Sequence, residues 1–349
     1  PTEPNTFLVF HVKDERFRTL PAIENRIKRE ALLPDSFDEA VHEYLQALPK
    51  TVSLKTFPGR HDLRDRLFVT IDGQDAKDFD DAILVERTDD TWKLSVAIAD
   101  VCAYLPRAKS KRTYSLDNEA LDRGNSFYFP TSVVPMLPFE LSTDLCSLKP
   151  GVDRLVIACE MTVSRTGDIL HADFFPAVIR SKARLTYDQV KDVLLGTDAQ
   201  CTEAFLAQPN GSALLAALKD AYELHLLLRK RRMERGALNL QSLEPRYIVN
   251  QHLQLTGLGF YKPHAIHALI EEFMIAANEA CAEFLTSRNL PFLYRVNAAP
   301  SRTGLNEFWH DLKTIPDLPA SLLDLQNQNA VQQTFSKIIS LIRNTWQER

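Results

Sequence analysis

Apolar residues recur with two different periods along the chain, and the change from one to the other divides it. Between residues 61 and 180 they come in short alternating or continuous runs, at 67–71, 82–85, 94–101, 156–163 and 169–177. Such runs predict strands that place side chains on the faces of a sheet. From residue 186 onward the spacing turns helical. Thr186-Tyr-Asp-Gln189 reads as a capping box that opens a helix to Leu195, closed by Gly196. Helices are also predicted over 212–235, over 264–288, where the apolar period is strongest, and within 303–347, with a short β pair at 246–249 and 253–257.

Residues 1–60 read as a small helical module: a strand at 7–12, a short helix at 21–30, and a capping box, Ser36-Phe-Asp-Glu39, opening a helix to Leu48. It is expected to be either a brace on the core or the remnant of a nucleic-acid-binding domain. Residues 61–349 form the core. The pattern predicts an α+β fold, a mixed β-sheet core surrounded by helices. Segment 113–150 has little period and is punctuated by Gly124, Pro130, Pro135 and Pro138. Its apolar clusters around Phe127-Tyr128-Phe129 and Val133-Val134 argue for an ordered, functional loop.

The first strand of the core runs straight into Ile71-Asp-Gly-Gln-Asp-Ala-Lys-Asp-Phe-Asp-Asp-Ala-Ile83. Aspartates stand at 72, 75, 78, 80 and 81, with Lys77 as the one cation among them. Such a cluster repels itself unless something positive sits within it. Hard carboxylate oxygens suit Mg²⁺, with Mn²⁺ as a substitute, held by a few carboxylates plus water and substrate phosphate. The favoured reading is therefore a metal site for phosphodiester chemistry. Other readings fit the same residues. Aspartate bonds nearby backbone N–H groups, so a solvated turn is one. A calcium loop is another, although the EF-hand order fails: Gly73 follows the first aspartate and Ile83 holds the twelfth position. Asp78-Phe-Asp80 also matches the bare D-x-D of metal-dependent nucleotide-sugar transferases.

Composition narrows the class. The five cysteines are odd in number and contain no C-x-x-C, which predicts reduced thiols in a cytoplasmic protein rather than a disulfide frame or a zinc site. No apolar run reaches the eighteen or so residues a spanning helix needs, so no membrane association is expected. A net charge of −5 excludes a protein that coats nucleic acid through overall basicity. A nucleic-acid enzyme with this balance must concentrate positive charge along its substrate path.

The string Asp72-Gly-Gln-Asp-Ala-Lys-Asp-Phe-Asp-Asp-Ala82, after a Val-Thr-Ile strand, resembles the first motif of the RNase II/RNase R (RNB) family of exoribonucleases. Further stretches follow in the family's order: Val96-Ala-Ile-Ala-Asp-Val101, Arg123-Gly-Asn-Ser-Phe-Tyr-Phe-Pro130, Val134-Pro-Met-Leu-Pro138, Leu141-Ser-Thr-Asp-Leu-Cys-Ser-Leu-Lys-Pro150, Arg235-Gly-Ala-Leu238 and Ile270-Glu-Glu-Phe-Met-Ile-Ala-Ala-Asn-Glu279. Leu293-Tyr-Arg-Val-Asn297 resembles the family's Tyr-Arg-Val-His segment, with Asn in place of His.

The resemblance implies Mg²⁺-dependent, processive 3′→5′ hydrolysis of single-stranded RNA, releasing 5′-mononucleotides. It places the catalytic acids at Asp72, Asp78, Asp80 and Asp81. Asp72 and Asp81 are the favoured metal ligands, Asp78 and Asp80 complete or orient the site, and Asp75 supports it or caps a turn. It assigns RNA contacts to Tyr128, Tyr247, Asn278, Glu279 and Arg295, the tyrosines by base stacking and Asn278 and Glu279 at ribose hydroxyls. Arg229-Lys-Arg-Arg232 with Arg235 reads as a basic helix end or a phosphate contact at a channel rim. The family's Ser-Pro-Ile-Arg-Arg-Tyr-like motif and its OB-fold RNA-binding domain have no counterpart in this sequence. The chain is therefore expected to be incomplete at its C-terminus, and a weakly catalytic or non-catalytic RNA-binding relative is the alternative.

Overall fold

The strand-forming runs all reach the same sheet. The structure, a computed structural model, describes residues 19–34, 36–105, 116–237, 244–261, 265–296 and 301–312. The strand expected at 7–12 and the helical stretch beyond 312 lie outside the described residues. The described N-terminal part holds helices α1 (Leu20–Glu30) and α2 (Glu39–Ala47), followed by strands β1 (His61–Asp62), β2 (Val69–Asp72), β3 (Asp81–Arg87) and β4 (Thr91–Ala99). A 3₁₀ turn at Val101–Tyr104, helix α3 (Leu116–Arg123), a hairpin of β5 (Phe127–Tyr128) and β6 (Val133–Val134), and a π-helical turn at Glu140–Leu145 come next. Then follow β7 (Asp153–Ser164), β8 (Ile169–Arg180), β9 (Ala183–Thr186), and helices α4 (Tyr187–Leu195), α5 (Ala199–Leu206) and α6 (Gly211–Glu234). A second hairpin, β10 (Glu244–Val249) with β11 (Leu255–Tyr261), precedes α7 (Ala265–Ser287) and α8 (Arg302–Leu312).

Seven strands form one mixed sheet in the order β1-β8-β7-β4-β3-β2-β9. Its two edge strands, β1 and β9, pair parallel with β8 and β2, and the rest is antiparallel. The central strands read as continuous apolar runs because both of their faces are covered. One face, with Ile71, Ile83, Leu94, Val96 and Met161, packs against Val190 of α4, Leu218 and Leu224 of α6, and Phe273 of α7. The other, with Phe68, Leu84, Ala97, Val156 and Ile179, packs against Val41 and Leu45 of α2, Leu116 of α3, and Leu141 and Leu148. Burying a side chain such as Leu94 or Phe273 stabilises by roughly 2–3 kcal/mol.

The helix start at Thr186 is built as the sequence predicts. Its hydroxyl accepts from the Gln189 N–H, the Gln189 side chain accepts from the Thr186 N–H, and Gly196 closes α4 at a φ of 63°. The other expected capping box does not form. Asp38 takes the N-cap of α2, with no side-chain cap bond. Residues 36–37 are engaged elsewhere: Arg123 donates to the Ser36 carbonyl and lays its guanidinium on the Phe37 ring, 3.8 Å from the centroid.

Candidate active site

The acidic stretch sits where β2 ends and β3 begins, two strands paired antiparallel through Val69 and Ile83. Asp72 is the last residue of β2 and Asp81 the first of β3, so the sheet itself brings them together. The connection between them is pinned from below. Buried Phe79 donates its N–H to the Ser147 hydroxyl and accepts from the Leu148 N–H, while Ser147 donates to the Lys77 carbonyl. The Asp80 carbonyl accepts from the Ala99 N–H at 2.9 Å. Asp72, Asp78 and Asp81 are half-buried and Asp80 is exposed, as is Asp75.

The electrostatics of the cluster follow from that packing. Burial first, and then the charge of Asp81, push the Asp72 carboxyl up to about 7; Arg184 opposes the shift, while Asp80 and Asp78 add to it. Asp81 is pushed up to about 6 by burial and by Asp80. Asp80 is raised by lost hydration and by Asp78. One oxygen of Asp72, Oδ2, is buried and has no hydrogen-bond partner. A buried carboxylate oxygen without a donor, among three further carboxylates, fits a divalent cation. Among the described residues no three Asp, Glu, His or Cys side chains are arranged so that together they could hold a metal ion.

The cation that faces Asp72 comes from elsewhere in the sequence. Arg184 lies on β9, which pairs parallel with β2 so that Thr70 opposes Arg184 and Asp72 opposes Thr186. Its Nη2 donates to the carbonyls of Gly73 and Gln74 at 2.7 and 2.6 Å, and its guanidinium lies 5.5 Å from the Phe79 ring centroid. It thus grips the turn that follows Asp72 and supplies positive charge, whereas Lys77 is exposed. Sequence reasoning passed over Arg184, and the one local signal was an arginine in an Ala-Arg-Leu-Thr run just before a helix cap.

Four segments outside the acid loop bear on the predicted contacts. Tyr128 is 73% exposed on β5 and Tyr247 is 47% exposed on β10, so both rings are open to a ligand. Asn278 and Glu279 are exposed on α7, and Arg295 is exposed in the extended segment after it. Glu279 accepts from Arg235 at 3.0 and 3.1 Å. Arg232 binds Glu271 and the buried Glu272, and Arg231 binds Asp168. The basic end of α6 is therefore matched by acids, most of them on α7. Cys146, close enough to feel Asp80, is pushed up to about 12 mainly by burial and stays a thiol.

The family model described as RNB domain matches residues 60–348. This chain belongs to the RNB domain family. Ribonuclease R of Vibrio parahaemolyticus is 38% identical over 323 residues, 90% of this chain and 37% of that protein. Mycoplasma genitalium RNase R, solved in complex with double-stranded RNA, superposes with a TM-score of 0.78 at 29% identity over 93% of this chain and 57% of that one. The same enzyme with ribose methylated single-stranded RNA gives a TM-score of 0.78, also at 29% identity, over 93% of this chain and 50% of that one. The chain thus spans little more than a third of the curated relative's length and about half of the solved one's.

Within this RNB domain, Arg184→Met is expected to weaken Mg²⁺ or Mn²⁺ binding by about tenfold, since losing the grip on the turn after Asp72 outweighs the relief of the guanidinium's repulsion of the cation. Arg184→Lys keeps the charge but not the forked geometry and should recover only part of the loss. Titration calorimetry with Mn²⁺ measures both, and unchanged affinity in the Met variant would discard the role.

Proposed function

We propose that this RNB domain is the hydrolytic centre of a Mg²⁺-dependent exoribonuclease that shortens single-stranded RNA processively from the 3′ end and releases 5′-mononucleotides. The observation that carries the reading is Asp72 Oδ2, buried and unpartnered at the end of β2, with Asp81 opening β3 and Asp78 and Asp80 in the connection between them. Relatives named Ribonuclease R, and an RNase R solved on RNA, support the substrate class.

Asp72 and Asp81 would hold the cation, with Asp78 and Asp80 completing or orienting the set. A bound Mg²⁺ supplies charge stabilisation at the phosphoryl oxygens and lowers the pKa of an attacking water. The protein's own residues do the rest. Arg184 holds the Gly73–Gln74 turn, and so the backbone next to Asp72, before any ligand arrives. Tyr128 and Tyr247 offer π-faces to successive bases without regard to sequence, worth about 1–3 kcal/mol per base. Asn278 and Glu279, the latter already held by Arg235, would bond ribose 2′-hydroxyls, the group that separates RNA from DNA. Arg295 contributes a cation toward the backbone phosphates.

A 5′-labelled oligo(A) is expected to shorten in Mg²⁺ or Mn²⁺ and to persist in EDTA, while the matching DNA strand survives. RNA that persists in saturating Mg²⁺, or DNA lost at the same rate, overturns the reading.

A further inference from the structure

Helix α1 has eleven residues, yet only Leu20 and Glu24 are buried. A helix held by packing buries an apolar stripe; this one buries a carboxylate, which is costly unless its oxygens are satisfied. Glu24 is 3% exposed and fully engaged. Its Oε1 accepts from the Thr131 N–H at 2.8 Å, and its Oε2 accepts from the hydroxyls of Thr131 at 2.7 Å and Ser132 at 2.5 Å. One turn on, Lys28 Nζ donates to the Ser132 hydroxyl at 2.7 Å and lies 5.0 Å from the Phe129 ring centroid.

Thr131 and Ser132 belong to the turn joining β5 to β6, closed by Phe129 N–H to Ser132 carbonyl at 2.8 Å. That hairpin carries Tyr128 and pairs through only two residues on each side, Phe127 with Val134 and Tyr128 with Val133. Such a short ladder does not hold its own shape in water. At its other end α1 reaches the second hairpin: the Leu20 N–H donates to the Leu253 carbonyl at 2.9 Å, in the turn between β10 and β11. That hairpin carries Tyr247.

We infer that α1 is a tether that fixes the two tyrosine-bearing hairpins relative to one another, with Glu24 as the positioning residue for Tyr128. The inference rests on the reading of these tyrosines as RNA-stacking groups. It assigns a task to the N-terminal arm: a single strand reaching the acid loop meets two aromatic faces already set in place, and less ordering is left for the moment of binding.

The test uses the full chain, with Glu24→Ala and Glu24→Gln alone and combined with Tyr128→Ala. Without RNA, Glu24→Ala should raise amide exchange across residues 127–134 by about tenfold while β3 and β4 keep wild-type protection. In EDTA, where no turnover occurs, it should weaken oligo(A) binding about five- to tenfold. In the Tyr128→Ala background it should weaken binding no further, because the loss runs through that ring. Glu24→Gln, which keeps the acceptor for the Thr131 N–H, should fall between. If Glu24→Ala does not fold, Thr131→Val with Ser132→Ala removes two of the three bonds from the hairpin side and must give the same pattern.

Unchanged exchange at 127–134, or an equal loss of binding with and without Tyr128, overturns the tether. A wild-type protein that does not bind oligo(A) overturns the exoribonuclease reading instead, and the exchange measurement still decides whether Glu24 orders the hairpin.

Discussion

Asp80→Asn will cut mononucleotide release from oligo(A) by at least about 10³-fold while leaving binding of the uncleaved strand within about threefold. The substitution keeps the shape of the side chain and removes its charge. The backbone at this position does not depend on that charge: the Asp80 carbonyl is held by Ala99, and Phe79 beside it is buried and bonded to Ser147 and Leu148. The fold therefore survives, and what is lost is one of the four carboxylates that would grip and orient the cation. Single-turnover hydrolysis of a labelled oligo, paired with anisotropy for binding, separates the two effects. Wild-type rates in the variant would remove Asp80 from the chemistry. A binding loss as large as the rate loss would make it a substrate contact.

The second large effect appears without any substrate. In EDTA the protein should lose stability as pH rises from about 4 to 7, the reverse of most proteins held by paired carboxylates. Asp72 stands at about 7 in the folded chain against an ordinary 3.8, and Asp81 at about 6. Between those values the unfolded chain has released protons that the folded chain still holds, so raising the pH favours unfolding. Above about 7 the cost is complete; because Asp72 keeps part of its hydration, it comes to about 1–3 kcal/mol rather than the full shift. The two carboxylates see each other, so their contributions are not additive. Groups held low act elsewhere on the scale: Asp62, bonded by Arg64, sits at about 2, and its stabilisation is lost only in strong acid.

A cation that binds the ionised pair should flatten this slope, so Mg²⁺ should raise the melting temperature most at pH 8. Asp72→Asn should melt above wild type at pH 8 in EDTA and gain little from Mg²⁺. Urea denaturation across the pH range checks both statements; a flat wild-type profile in EDTA would mean the carboxylates do not strain the apo site.

Much of the core was legible because its period is unambiguous. Strands expected at 82–85 and 156–163 exist within β3 and β7, and the helix expected at 264–288 is α7. The cap at Thr186 was legible because both halves of the box are local. What escaped was short or non-local. β9 alternates buried and half-buried positions but is only four residues long, too short for its pattern to stand out, and it forms because β2 offers it an edge. The two-residue strands β5 and β6 were read as loop, since a hairpin tied down by Glu24 of a distant helix leaves no local pattern. The site divides the same way. Clustered aspartates announce themselves in sequence, whereas Arg184 binds backbone carbonyls, which carry no residue signature.

The pairing of β9 with β2 has a consequence for how the protein is made. Arg184 and Gly73 lie 111 residues apart in sequence, so the bond that secures the turn after Asp72 closes a very long loop. A ribosome that has delivered β1 to β8 has already released every carboxylate of the cluster but not the arginine that braces it. If the acids take a cation as proposed, their brace is completed only when that last edge joins the sheet, so the nascent chain carries the cluster unbraced until β9 emerges.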